Sequence, residues 1–124
     1  MDLSILEILK GEDGLPQFDK ALVKFRSGDH ALVEGMPRMS THENCKLLVF
    51  IELTPGFFSE TRSTDIDQMV VCLSGKLRIS TDDGDTQDLV PGNVARLKKA
   101  DCSTYTMSVA SDAPAHLMVV QLEG

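Results

Sequence analysis

From its middle onward the chain is cut into short apolar runs by residues that cannot continue a helix: Pro55-Gly56, Ser74-Gly75, Asp83-Gly84, Pro91-Gly92-Asn93 and Ala113-Pro114. Runs this short have no room for a stable isolated helix, which in water needs about 12 to 15 residues, but they suit strands of about 5 to 6. The spacing therefore constrains the fold more than composition does. A succession of short strands separated by Gly, Pro and Asn turns is the pattern of a sandwich or barrel.

Within that frame the strands are individually readable. CKLLVFIELT (45–54) is the strongest; its continuous apolar character predicts burial on both faces or a surface between subunits. QMVVCL (68–73) and KLRIS (76–80) flank Ser74-Gly75 as a tight hairpin, and TDDGD (81–85) makes a second turn before TQDLV. VARL (94–97) follows Pro91-Gly92-Asn93. TYTMSVA (104–110) alternates, with Tyr105, Met107 and Val109 on one face, and AHLMVVQL (115–122) closes the domain as a buried strand. Upstream, ALVKF (21–25) and HALVEGM (30–36) read as strands, while Leu3, Ile5, Leu6, Ile8 and Leu9 cluster as in a short N-terminal helix that stops at GEDG. About nine strands and one helix make a single all-β domain over residues 1–124, with strands and helix in 1–44 and a core in 45–122.

Charge and composition exclude several classes of function. A formal charge of −7 with twelve scattered Lys and Arg argues against wrapping nucleic acid, which needs clustered cations. No apolar run approaches the roughly 20 residues that span a bilayer, and MDLSILEILKGEDG lacks a positive n-region and a small-residue cleavage site, so a cytoplasmic location without membrane association is expected. Cys45, Cys72 and Cys102 form no CxxC pair and read as free thiols, with Cys72 a small core hydrophobe inside MVVCL. The methionines fall mostly on or beside strands and read as core filler.

TPGFF (54–58), QMVVCLSGKLRI (68–79), VPGNVARL (90–97) and SDAPAHLMVVQ (111–121) together resemble a single-domain cupin over roughly residues 45–122. The resemblance implies a double-stranded β-helix, or jelly roll, whose open mouth ordinarily holds a divalent metal. Gly56 and Gly75 hold the outer positions of the family's first motif. Gln68 then stands where its glutamate belongs, and Thr64 and Arg62 where its two histidines belong. In the second motif Pro91-Gly92-Asn93 keeps the turn, and the histidine position falls on Ser103, or on Tyr105 if the loop KKADCS is two residues longer than usual.

None of these side chains suits a dication, which wants imidazole or carboxylate donors, and Arg62 adds a permanent positive charge. The expectation is a cupin-like protein with no metal and no cofactor. Arg62, Thr64, Gln68 and Ser103 or Tyr105 would instead bind a small anionic or polar ligand, since a guanidinium grips carboxylate or phosphate in two places. Against that stands an Arg62 neutralised by Glu60, Asp65 and Asp67 in its own loop.

Binding or regulation as a homodimer, the latter implied by the family and by the apolar KLLVFIEL, is the leading expectation. One rival is a small enzyme, an isomerase, epimerase or dioxygenase-like cupin, using His42, Glu60, His116 or Cys102 as unorthodox ligands or Tyr105 in acid-base work. A structural or partner-binding module is the other. His30, His42 and His116 have no metal-like spacing, and Cys102 beside Lys98 and Lys99 has no recognisable base.

Overall fold

The computed structural model describes residues 3–32, 34–61, 66–81, 84–99 and 105–123. They form twelve strands: β1 (Ser4–Lys10), β2 (Pro16–Leu22), β3 (Arg26–Ser27), β4 (Arg38–Met39), β5 (Cys45–Leu53), β6 (Phe58–Thr61), β7 (Gln68–Ser74), β8 (Leu77–Ser80), β9 (Thr86–Leu89), β10 (Val94–Leu97), β11 (Tyr105–Val109) and β12 (Ala115–Leu122). A six-stranded sheet in the order β2-β1-β10-β7-β12-β5 faces a four-stranded sheet in the order β6-β11-β8-β9, and β3 pairs with β4 apart from both. No helix among the described residues is long and apolar enough to cross a membrane.

Two-residue alternation builds the core between the sheets. In β7, Val70 and Cys72 turn inward, as do Ala95 and Leu97 in β10 and Leu117 and Val119 in β12; they meet Leu77, Ile79, Leu89 and Tyr105 from the smaller sheet. Burial leaves the Cys72 side chain fully enclosed and pushes its thiol pKa up, against the opposing effect of backbone hydrogen bonds at Leu77 and Ser74. It is a core hydrophobe, as its place in MVVCL predicts.

The N-terminal helix expected from Leu3, Ile5, Leu6, Ile8 and Leu9 is instead β1. It pairs antiparallel with β2 along its whole length and parallel with β10 through Leu6, Glu7 and Ile8. GEDG is therefore a hairpin turn rather than a helix stop, closed by the Gly11 N–H on the Leu15 carbonyl and the Gly14 N–H on the Gly11 carbonyl. Leucine and isoleucine clusters of this length fit either period, and the available sheet edge decides between them.

Other expectations shift with it. The strand predicted at 21–25 lies at Pro16–Leu22, in register with β1. No continuous strand runs through the described part of 30–36, where Gly35 and Met36 both adopt left-handed backbone and Leu32 is largely exposed. Ser74-Gly75 does not close a hairpin: β7 and β8 belong to different sheets, and β8 pairs with β9 and β11. The turn between β8 and β9 is a true hairpin.

β5 corrects one of the two expectations for it: it is not buried on both faces within the chain, but is an edge strand whose residues Leu47 to Ile51 are each 36 to 68% exposed. Its one neighbour among the described residues is β12.

Candidate functional site

The strand termini define one end of the molecule as the mouth. The starts of β5 and β7 and the ends of β10 and β12 come together there, because Gln68 pairs with both Leu97 and Gln121, and Leu122 pairs with Cys45. Of the residues singled out from the sequence, Gln68 and Tyr105 are described; Arg62, Thr64 and Ser103 lie outside the described residues, as does Cys102.

Gln68 continues the inward-facing series of Val70 and Cys72 at its mouth end, and the Gln121 Nε2 donates to the Gln68 Oε1 at 3.4 Å. Tyr105 begins β11 only 2% exposed and packs in the same core cluster as Leu97, the direct cross-strand neighbour of Gln68. The inner wall of the mouth thus carries an amide pair and a buried phenol. Gln121 was not anticipated from the sequence, where it reads as one polar residue ending an apolar strand.

A charged cluster occupies the same end on the outer side of the six-stranded sheet. Arg96 points outward because its neighbours Ala95 and Leu97 point in. Its Nη1 donates to Glu43 Oε1 at 2.8 Å and its Nη2 to Asp67 Oδ2 at 3.0 Å, with Nε also donating to Oδ2 at 3.3 Å. The other Asp67 oxygen accepts the Lys99 backbone N–H at 2.8 Å, and the Asp67 carbonyl accepts the Leu122 N–H. This network ties the approach to β5, the start of β7 and the ends of β10 and β12 into one rim.

Burial alone would raise the Asp67 pKa, but the Lys99 N–H, the Arg96 hydrogen bonds and the charges of Arg96 and Lys98 together hold it below its usual value. Burial likewise works against the Arg96 charge, and the bonds to Glu43 and Asp67 outweigh it, raising its pKa. Asp67, which the sequence offers as one possible neutraliser of Arg62, binds Arg96 here, while Arg62 itself lies outside the described residues. The sequence signal for Arg96 is a lone cation inside the apolar strand VARL.

Because Asp67 is more acidic folded than unfolded, its contribution to stability is complete above the ordinary carboxylate value of about 4 and fades as the pH falls from there through the lower folded value. Asp67→Asn is expected to cost about 1 to 3 kcal/mol at pH 7 and to flatten the acid limb of the melting temperature against pH. An unchanged acid limb would show that another group controls it.

A cavity of about 340 Å³ opens at this rim between Glu43, Ile66, Asp67, Arg96, Lys99 and Leu122. That volume is at the small end of ligand pockets, and its lining mixes both signs of charge with two apolar side chains. His42 lies elsewhere, in an open hollow with His30 and Met39. His116, on the outer face, is 2.6 Å by Nδ1 from Ser74 Oγ and 2.7 Å by Nε2 from Glu52 Oε2, so it bridges three strands.

For a metal, the donors among the described residues do not fit. Among the described residues no three His, Cys, Asp or Glu side chains gather so as to hold an ion. The glutamate position of the first motif carries an amide already paired with Gln121.

No family model matches the sequence, and no curated protein matches it. Solved structures do. A sugar phosphate isomerase from the cupin superfamily of Silicibacter pomeroyi superposes with a TM-score of 0.52 at 28% identity, over 62% of this chain and 50% of that one. The Cupin 2 domain of an XRE family transcriptional regulator from Enterobacter cloacae gives 0.51 at 25% identity, over 62% and 80%. The chain has the single-domain cupin fold. A Cupin 2 conserved barrel domain protein from Salinispora arenicola, at 17% identity, TM-score 0.52 and 62% of each chain, shares the cupin fold alone. This cupin spans only about half the length of the sugar phosphate isomerase.

Proposed function

We propose that this cupin is a metal-independent module that binds a small polar or anionic molecule at its mouth and serves a regulatory or carrier role rather than a catalytic one. The observation that carries the reading is the Gln68–Gln121 amide pair. Where the family's motif places a carboxylate ligand, this chain offers neutral donors and acceptors, which recognise hydroxyl, carbonyl or phosphate oxygens but hold a dication poorly. Arg62 and Thr64, set beside Gln68 by motif spacing, would add a cation and a hydroxyl, and Ser103 or Tyr105 a second hydroxyl.

The cupin domain of a transcriptional regulator supports a sensing role, and the likeness to a sugar phosphate isomerase makes sugar phosphates the first class of ligand to try. That same likeness favours a second reading, a metal-free isomerase. Cys45 and Cys72 are free thiols, which agrees with the reducing cytoplasm proposed as its location.

Two measurements test the proposal together. Elemental analysis of protein grown with iron, manganese, nickel and zinc is expected to find far less than one equivalent of any of them. Calorimetric titration with a panel of sugar phosphates and small carboxylates is expected to find a ligand whose affinity falls about tenfold in Gln68→Ala, the loss of roughly one hydrogen bond. One tightly held equivalent of metal, or a ligand indifferent to Gln68, would sink the reading.

A further inference from the structure

Three polar side chains stand in a row at the end of the six-stranded sheet away from the mouth. Ser74 ends β7, His116 lies at the start of β12 and Glu52 near the end of β5, and both Ser74 and Glu52 pair directly with His116. Their side chains are joined in sequence, His116 Nδ1 to Ser74 Oγ at 2.6 Å and His116 Nε2 to Glu52 Oε2 at 2.7 Å. A carboxylate only accepts, so in the neutral ring Nε2 carries the hydrogen and donates to Glu52. That leaves the Nδ1 lone pair facing the Ser74 hydroxyl, the relation of a serine nucleophile to its base when an acid orients the ring from the far side.

An irregularity in the strand pairing creates this row. Val70 and Cys72 point inward, so strict alternation would send Ser74 inward as well. Leu117 pairs with Cys72 but His116 pairs with Ser74, and the register shift between them leaves Leu73 between paired positions. Bulges of this kind re-aim a side chain and are over-represented next to active sites. Here the shift brings the hydroxyl to the outer face beside His116, where Ser74 and His116 are half-buried and Glu52 is exposed.

We propose that Ser74, His116 and Glu52 form a second site, which hydrolyses carboxylic esters that carry a short apolar acyl group. In the next row on the same face Phe50 pairs with Met118, and Met118 with Val71. That row is wholly apolar and gives an acyl chain a surface to lie on beside Ser74. Ser74 Oγ bonds to the ester carbonyl carbon as its proton passes to His116 Nδ1, and the bond to the alcohol breaks as the alcohol oxygen takes that proton. Water then bonds to the same carbon and gives a proton to Nδ1; the bond to Ser74 breaks, and the proton returns to its oxygen. The sum is ester plus water to acid plus alcohol, with no other reactant. Ser74 and His116 act on the substrate, and Glu52 is a positioning residue.

This activity is separate from ligand binding at the mouth and stands or falls without it. A fluorophosphonate, from which an activated serine displaces fluoride, is expected to label the native protein at Ser74 by peptide mass mapping, a result that depends on no variant. Hydrolysis of p-nitrophenyl butyrate is expected to fall about a hundredfold or more in Ser74→Ala and in His116→Gln, the scale of a lost nucleophile or general base. Glu52→Gln should lower kcat with KM unchanged and, because an exposed ion pair adds little stability, with the melting temperature nearly unchanged. Phe50→Ala is expected to raise KM for the butyrate ester but not for the acetate. Absence of label at Ser74, or butyrate hydrolysis equally fast in a Ser74→Ala protein that is folded by circular dichroism, would overturn the proposal.

Discussion

Gly75→Ala is expected to remove about 2 to 5 kcal/mol of folding stability, a large share of the 5 to 15 kcal/mol typical of a domain. Two costs combine. Gly75 has φ 76°, a left-handed conformation that costs an L-residue with a side chain about 1 to 2 kcal/mol. A Cβ there would lie 2.5 Å from the Pro114 carbonyl oxygen and 2.7 Å from the Ala115 Cα, both backbone atoms that cannot rotate aside.

The crowding has a topological origin. At Gly75 the chain leaves the six-stranded sheet for the four-stranded one, and at Pro114 it returns, so two crossings run side by side. Their contact is fastened by the Ala110 N–H on the Lys76 carbonyl and by Ser111 Oγ, which accepts the Lys76 N–H and donates to the Ala113 carbonyl. Gly84→Ala supplies the control, because Gly84 is also left-handed at φ 91° but has nothing within 4 Å of an added Cβ. It should lose only the conformational part, about 1 kcal/mol. Urea denaturation of both variants reads the difference, and equal losses would show that the contact with residues 114 and 115 is unimportant.

Tyr105→Ala is expected to cost about 3 to 5 kcal/mol, the usual penalty for emptying a buried aromatic site, whereas Tyr105→Phe should cost about 1 kcal/mol. The ring belongs to the core with Ile79 and Leu97, while the hydroxyl accounts only for its hydrogen bonding. Thermal melts of the two variants separate packing from polar chemistry. The phenylalanine variant also divides the functional readings. If it abolished turnover of a sugar phosphate while its melting temperature stayed unchanged, acid-base catalysis would replace binding as the role of this mouth. A loss of stability as large as that of the alanine variant would instead make the hydroxyl structural.

Local pattern carried much of this fold. VARL and AHLMVVQL were legible with correct boundaries, because each follows a proline-containing turn and has an inward series that alternates with outward residues. Tyr105 and Met107 were placed on one face by the same reasoning, and both face the core. The site was less legible. Motif spacing pointed to Gln68, but its partner Gln121 lies 53 residues away and is brought alongside only by the β7–β12 register. Glu43 and Arg96 likewise meet across 53 residues, and nothing local to either announces the other.

The chain by itself settled the period-two character of its strands and the inward side of most of them. Tertiary pairing decided that Ser4–Lys10 is a strand, that Ser74 and Gly75 turn a corner between sheets instead of closing a hairpin, and that the most apolar strand lies at an edge. The reason is physical. Side-chain alternation is a property of a few consecutive residues, whereas strand neighbours are chosen by hydrogen bonds and burial between segments far apart, whose outcome depends on every other strand competing for the same edges.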